Sequence, residues 1–183
     1  MNTFLLYAIS FVLLLSSGIV IFRFLVPRDY RTRGRLSPII TFLQALLFFV
    51  YGGFPYIYLP ENWPATEVSG YLYYVGLFLL LAGLVLLLYG MVQLGILRSL
   101  GRGSPELNQS GIYKTSRNPQ AIACGFYVIG FLILWPSWYA VGWVLLYPVL
   151  IQMMVLAEET HLRNVHGEAY REYCTQVPRY FRV

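Results

Sequence analysis

Two polar clusters in an otherwise apolar chain are placed where side chains could do chemistry. Glu158 and Glu159 adjoin at the end of an apolar run and are followed by Thr160, His161 and Leu162. Adjacent carboxylates at a helix C-terminus face the unfavourable end of the dipole, and near a bilayer boundary charge is costly. Glu159 can pair with Arg163 one helical turn on. Glu158 has no such neighbour and needs a partner from across a hairpin, either Arg117 or a cationic ligand. The other cluster is Gly111-Ile-Tyr-Lys-Thr-Ser-Arg-Asn-Pro119, which leads into the next apolar run. Asn118 followed by Pro119 starts a helix: Asn can cap free amides, and Pro is preformed for the first turn. With Arg117 beside it, that helix N-terminus attracts a carboxylate or phosphate.

These residues must be positioned by membrane helices. Of 183 residues, 58% are hydrophobic and 11% charged, with a mean hydropathy of +0.61. Soluble domains carry about a quarter charged residues. A core of this size could not hide so much apolar surface, so lipid must cover it. A membrane helix needs roughly 20 mostly apolar residues. Runs of that kind predict five spans, near Thr3–Val26, Pro38–Leu59, Ser69–Leu97, Pro119–Trp135 and Trp138–Ala157. The first lacks the charged start and cleavage site of a signal peptide and reads as a retained helix.

Orientation follows from the basic residues. All 13 Lys and Arg residues fall in three segments: Arg23–Arg35, Arg98–Arg117 and Arg163–Arg182. The loop at 60–68 carries Glu61 and Glu67 instead. An odd number of spans puts the three basic segments on one side, so the N-terminus is expected outside and the C-terminus in the cytoplasm. The fold class expected is therefore all-α integral membrane, with a short helical cytoplasmic tail. As a single membrane domain (1–183), it divides into a three-helix scaffold (1–97) and a helical hairpin with its connecting loop and tail (98–183).

Within the third span Gly76, Gly83 and Gly90 recur every seventh residue, a stripe that lets helix backbones approach closely. Pro148 is expected to kink the fifth span and open space beneath the polar cluster. Cys124 and Cys174 are the two cysteines and read as reduced. His161 and His166 have no cluster of metal ligands around them, and no metal is expected. No basic run interleaves with exposed aromatics, which argues against nucleic acid as a partner.

Taken together, the polar segments resemble a known superfamily. Gly111-x-Tyr113-x-x-x-Arg117-Asn118-Pro119, then Glu158-Glu159-x-x-Leu162, then Gly167-x-x-Tyr170-x-x-Tyr173 and Val177-Pro178-Arg179 look like the isoprenylcysteine carboxyl methyltransferase and phospholipid methyltransferase superfamily. The resemblance covers roughly residues 105–183. It implies an S-adenosylmethionine-dependent methyltransferase with the cofactor between the last two helices and the tail. Tyr113, Arg117, Asn118, Pro119 and Gln120 would line the cofactor, Glu158 would hold it and Leu107 would pack near the adenine. A prokaryotic cytoplasmic membrane is the location it implies.

The acceptor implied is lipid-like or prenylcysteine-like, reached from the bilayer at the cytoplasmic face. A carboxylate or thiolate acceptor needs no base, whereas an amine or hydroxyl does, with Glu159 or His161 as the candidates. The chain departs from the family pattern at four places. Asn118 replaces the usual His, but Pro105 stands for a histidine, Ala121 for a tyrosine, and Met154 for the arginine that holds a prenylcysteine carboxylate. Two alternatives follow: an NADPH-dependent membrane reductase, and a non-catalytic membrane scaffold derived from the methyltransferases.

Overall fold

The computed structural model describes residues 2–66, 68–95, 107 and 109–181. Glu67, Leu97, Arg98, Arg102, Pro105 and Arg182 lie outside the described residues. Helices α1 (Thr3–Ile19) and α2 (Val26–Arg33) are joined by one π-helical turn (Val20–Leu25) into a continuous rod. Pro27 accounts for the wide turn. It has no amide to give and its ring crowds the carbonyl four residues back, so the hydrogen-bond ladder loosens just ahead of it. The rod ends where Gly34 turns left-handed (φ 66°) and returns its amide to the Tyr30 carbonyl at 3.1 Å. The expected end near Val26 is thus too early: the basic residues Arg28–Arg33 prolong the helix instead of forming a linker.

Asp29 builds the following corner, accepting the Ser37 amide at 2.8 Å while Ser37 caps helix α3 (Pro38–Gly53). A 3-10 turn (Phe54–Ile57) finishes that helix. Then come α4 (Tyr71–Leu94), a 3-10 turn (Gly111–Lys114), α5 (Pro119–Leu134), α6 (Trp138–His166) and α7 (Glu168–Gln176). The described residues form no strand.

Four of these rods are long and apolar enough to cross a membrane: Thr3–Arg33, Pro38–Ile57, Tyr71–Leu94 and Trp138–His166. Helix α5, expected as a span, has 16 residues, about 24 Å of rise, and falls short of that length. Large apolar side chains cover the outside, among them Phe49, Phe78, Val92 and Trp138. Such a surface suits lipid, not water.

The main core joins the α1–α2 rod, α3 and α6 through Phe22, Leu47, Leu146, Leu150 and Trp143. Polar groups inside it are paired. The Tyr51 hydroxyl donates to the Trp143 carbonyl at 3.1 Å, and the Trp143 indole donates back to the Tyr51 carbonyl at 2.9 Å. In a medium without water that reciprocity fixes the α3–α6 register. Pro148 sits on the exposed side of α6, and the helix continues through it to His166.

Helix α4 is held differently. Its buried residues are Gly76, Gly83 and Gly90, and the stripe lies against α5. A β-carbon at Gly83 would come within 2.5 Å of the Tyr127 amide and 2.6 Å of the Ala123 carbonyl. On the other side, one at Gly130 would meet the Leu80 amide at 2.5 Å. The two backbones therefore touch, as the glycine spacing leads one to expect. Gly83→Ala is expected to lower the thermal midpoint in detergent, at a cost of about 1–3 kcal/mol from overpacking. Gly52→Ala, where a β-carbon has nothing within 4 Å, is the control and should leave the midpoint unchanged or slightly raised. Equal effects from both would show that close backbone approach is not what holds α4.

Candidate active site

Three stretches distant in sequence meet at one end of the bundle: the α1–α2 rod, the loop before α5, and the end of α6 with its tail. The loop is seated first. Gly111 has φ +56°, and a β-carbon there would lie 1.7 Å from the Gln93 side-chain oxygen at the end of α4. Only glycine fits. Gln93 in turn accepts the Ile112 amide at 3.3 Å. From this anchor the 3-10 turn swings Tyr113 inward, where it is buried.

The tail then clamps the loop. Tyr173 on α7 donates its hydroxyl to the Tyr113 carbonyl at 2.7 Å. The Arg117 amide donates to the Pro178 carbonyl at 2.9 Å. Both the Ser116 hydroxyl, at 3.1 Å, and the Asn118 side-chain amide, at 3.2 Å, donate to the Arg179 carbonyl. Asn118 was expected to cap α5; its side chain makes no capping hydrogen bond and holds the tail instead. Pro119 does open the helix as its first residue.

Arg179 fastens the same tail to α6. Its guanidinium donates to the two oxygens of Glu159, Nε to Oε1 at 3.0 Å and NH2 to Oε2 at 2.7 Å. Those hydrogen bonds hold the Arg179 guanidinium above its ordinary pKa. Arg117 adds a longer ion pair to Glu159 at 3.6 Å, and Arg163 another at 3.9 Å. The Arg163 pairing is the one the i,i+4 spacing suggests, but it is the longest of the three. Arg117 also donates to the Cys174 sulfur, and its Nε is buried without a partner.

Arg117 therefore serves Glu159 and leaves Glu158 unpaired. Glu158 is half-buried and makes no hydrogen bond or ion pair with the described residues. Burial, and after it the Glu158 carboxylate, pushes the Tyr113 phenol well above its ordinary pKa, so it keeps its proton as a donor. Burial likewise pushes Tyr173 up to about 12.

A family model for phospholipid methyltransferases matches residues 71–169. The chain belongs to the phospholipid methyltransferase family. Neither a curated protein nor a solved structure matches it. The match in this methyltransferase family takes in Tyr113, Arg117, Asn118, Pro119 and the Glu158–Glu159 pair. It stops before Tyr173, Cys174 and Arg179, and begins after Tyr30. Several members of the mouth thus come from outside the matched stretch.

The remaining candidates are spread around this mouth. Gln120 turns toward α4, its Cγ 3.0 Å from where a β-carbon on Gly90 would be. Leu107 packs on the cluster of Tyr170, Tyr173 and Val177. His161 is buried, its ring stacked on Tyr30 with centroids 3.9 Å apart and planes 4° from parallel. Ser116, Arg179 and Tyr30 were not singled out by function in the sequence. Arg179 did carry a signal, lying in the Val-Pro-Arg segment; Ser116 and Tyr30 carried none.

Glu159→Gln is expected to release the tail, because it leaves Arg179 and Arg117 without their shared carboxylate. Removing one partner of a buried ion pair costs about 3–5 kcal/mol, and less where, as here, Arg179 is partly exposed. Limited proteolysis should then cut within residues 167–181 at protease levels that leave the wild-type chain intact. Unchanged resistance would mean that the tail is held by other contacts.

Proposed function

We propose that this chain is an S-adenosylmethionine-dependent methyltransferase of the membrane. The cofactor would be held at the mouth between Tyr113–Pro119 and Glu158, with a lipid-like acceptor entering from the bilayer. The observation that carries this is Glu158: a half-buried carboxylate with no partner among the described residues, at a mouth where Arg117, Arg163 and Arg179 are drawn to Glu159. An unpaired buried polar group of this kind is what a ligand satisfies.

The residues present fit the cofactor. Glu158 would accept a hydrogen bond from it, Tyr113 would donate one, and Asn118 and Pro119 would form the wall at the start of α5. Bound S-adenosylmethionine supplies an electrophilic methyl group on a cationic sulfur. The chain's own part is then to orient donor and acceptor in line and to keep water out, which is where positioning contributes to rate. Glu159 is engaged through both oxygens by Arg179, so we assign it to holding the tail and not to proton transfer. His161 is assigned to the wall with Tyr30.

The acceptor side supports a lipid. Met154 stands where prenylcysteine enzymes carry an arginine, and it packs with Ala121, Ile151, Val155 and Tyr180 in an apolar cluster. Among the described residues of that cluster none is a cation that could clasp a carboxylate. We read five spans, with α5 as the short one. It keeps contact with α4 from Gly90, facing Gln120, to Gly76, facing Leu134, and so shares the depth of a helix long enough to cross. The N-terminus would lie outside and the mouth and tail in the cytoplasm, following the arginines. The NADPH reductase alternative finds no support in the family match, which points to methyl transfer.

Calorimetry with S-adenosylhomocysteine on the purified full chain tests the reading. Wild-type protein should bind, and Glu158→Ala should weaken binding roughly tenfold or more, the worth of a charge-assisted hydrogen bond. Arg171→Ala, on an exposed pair with Glu168, should leave it unchanged. Well-folded wild-type protein that binds nothing would sink the proposal.

A further inference from the structure

At the end of the bundle opposite the mouth, a cavity of about 140 Å³ lies between the end of α3, the loop that follows it, and α5. The buried rings of Phe131 and Trp143 form its floor, and the exposed residues Gly52, Tyr56, Trp63 and Tyr127 form its rim. No lining residue is charged. A β-carbon on Gly52 would have nothing within 4 Å, so the glycine leaves that side of the rim open. Phe49, one turn before Gly52 on α3, is 80% exposed, and the rim is thus continuous with the lipid-facing surface.

The depth of the cavity can be read from the aromatic residues around it. Tyr56 ends α3, Tyr71 begins α4 and Trp138 begins α6, all with exposed rings. Such rings gather where headgroups give way to acyl chains. Trp143 is five residues beyond Trp138, about 7.5 Å further in by helix rise. Tyr127 is seven residues before the last residue of α5, about 10 Å further in. Neither the Tyr56 nor the Tyr127 hydroxyl has a hydrogen-bond partner among the described residues. Tyr56, at the belt, is served by headgroups and water. Tyr127 is deeper, where an unpaired hydroxyl is costly.

An empty cavity also forfeits dispersion contacts along its walls. An apolar cavity of about 150 Å³ holds a benzene molecule, so this one holds about six heavy atoms. Just inside the belt a bilayer offers the ester linkage of a lipid and the first methylenes of its chain. A charged headgroup would meet no counter-charge in the lining, and a bare chain end would leave Tyr127 unpaired. We propose that this cavity binds an acyl ester of a lipid from the leaflet opposite the mouth. The ester carbonyl accepts from the Tyr127 hydroxyl, and the first methylenes lie on Phe131 and Trp143. The bound chain bridges α3 and α5. The site shares no residue with the mouth and is independent of the methyl-donor reading.

The test is the thermal midpoint of the full chain in detergent, with added dihexanoyl phosphatidylcholine or its diether analogue, which lacks only the carbonyl oxygens. With wild type, the ester at about ten times its dissociation constant should raise the midpoint by roughly 3–6 °C. The ether should give roughly half of that rise or less, having lost one hydrogen bond. Tyr127→Phe keeps the ring and should reduce the ester response to that of the ether. Gly52→Trp, which fills the rim, should abolish both responses. Equal responses of wild type to ester and ether, or none to either, would overturn the proposal. So would an undiminished response in Gly52→Trp. If that variant does not fold, Tyr127→Phe decides alone: a retained preference for the ester overturns the site, and its loss sustains it.

Discussion

A carboxylate buried at the end of a membrane helix cannot stay charged alone, and the mouth of this protein is organised around one that does not have to. Glu159 is 4% exposed and is met by a two-point Arg179 clasp, with Arg117 behind it. The desolvation of the acid would be prohibitive without that clasp. Because Arg179 belongs to the tail and Arg117 to the loop before α5, neutralising one acid also joins three segments. The Arg179 carbonyl then collects Ser116 and Asn118, and the Pro178 carbonyl collects the Arg117 amide. The fold of the mouth and the solvation of Glu159 are one problem with one solution.

That solution leaves the neighbouring acid free. Consecutive helix residues point about 100° apart, so Glu158 and Glu159 cannot face the same partners. One is turned to the tail and is neutralised by it; the other has no cationic partner among the described residues. The pair is thus split, Glu159 committed to the tail and Glu158 the residue to which the proposed function assigns binding. The apolar scaffold serves this by fixing helix positions without water: reciprocal Tyr51–Trp143 hydrogen bonds set α3 on α6, and a glycine stripe sets α4 on α5.

Much of this could be read from the residues in order. Helix positions followed from apolar runs, and the α4–α5 contact from the spacing of Gly76, Gly83 and Gly90. Arg117 and the Glu158–Glu159 pair stood out by type and spacing, and Gly111 through the family resemblance. What could not be read were pairings decided in three dimensions. Asn118 before Pro119 has the local signature of a cap, but the tail carbonyl outcompetes the helix amides for its side chain. Arg117 sits plausibly for either glutamate, and only the rotation of α6 assigns it to Glu159. The prolongation of the first helix through Pro27 depends on a π turn that no apolar pattern announces. Tyr30 gave no signal, because its role lies in a stack on His161, 131 positions along the chain.

The central claim is that one ligand-receptive mouth is built jointly by the loop, the end of α6 and the clamped tail. Amide hydrogen exchange on the full chain, with and without S-adenosylhomocysteine, tests it most directly. The account predicts slowed exchange concentrated in residues 111–122, 156–166 and 170–181 together, with little change around the Trp63–Trp135 end. Protection confined to that opposite end, or a ligand that leaves all three segments unchanged, would contradict it.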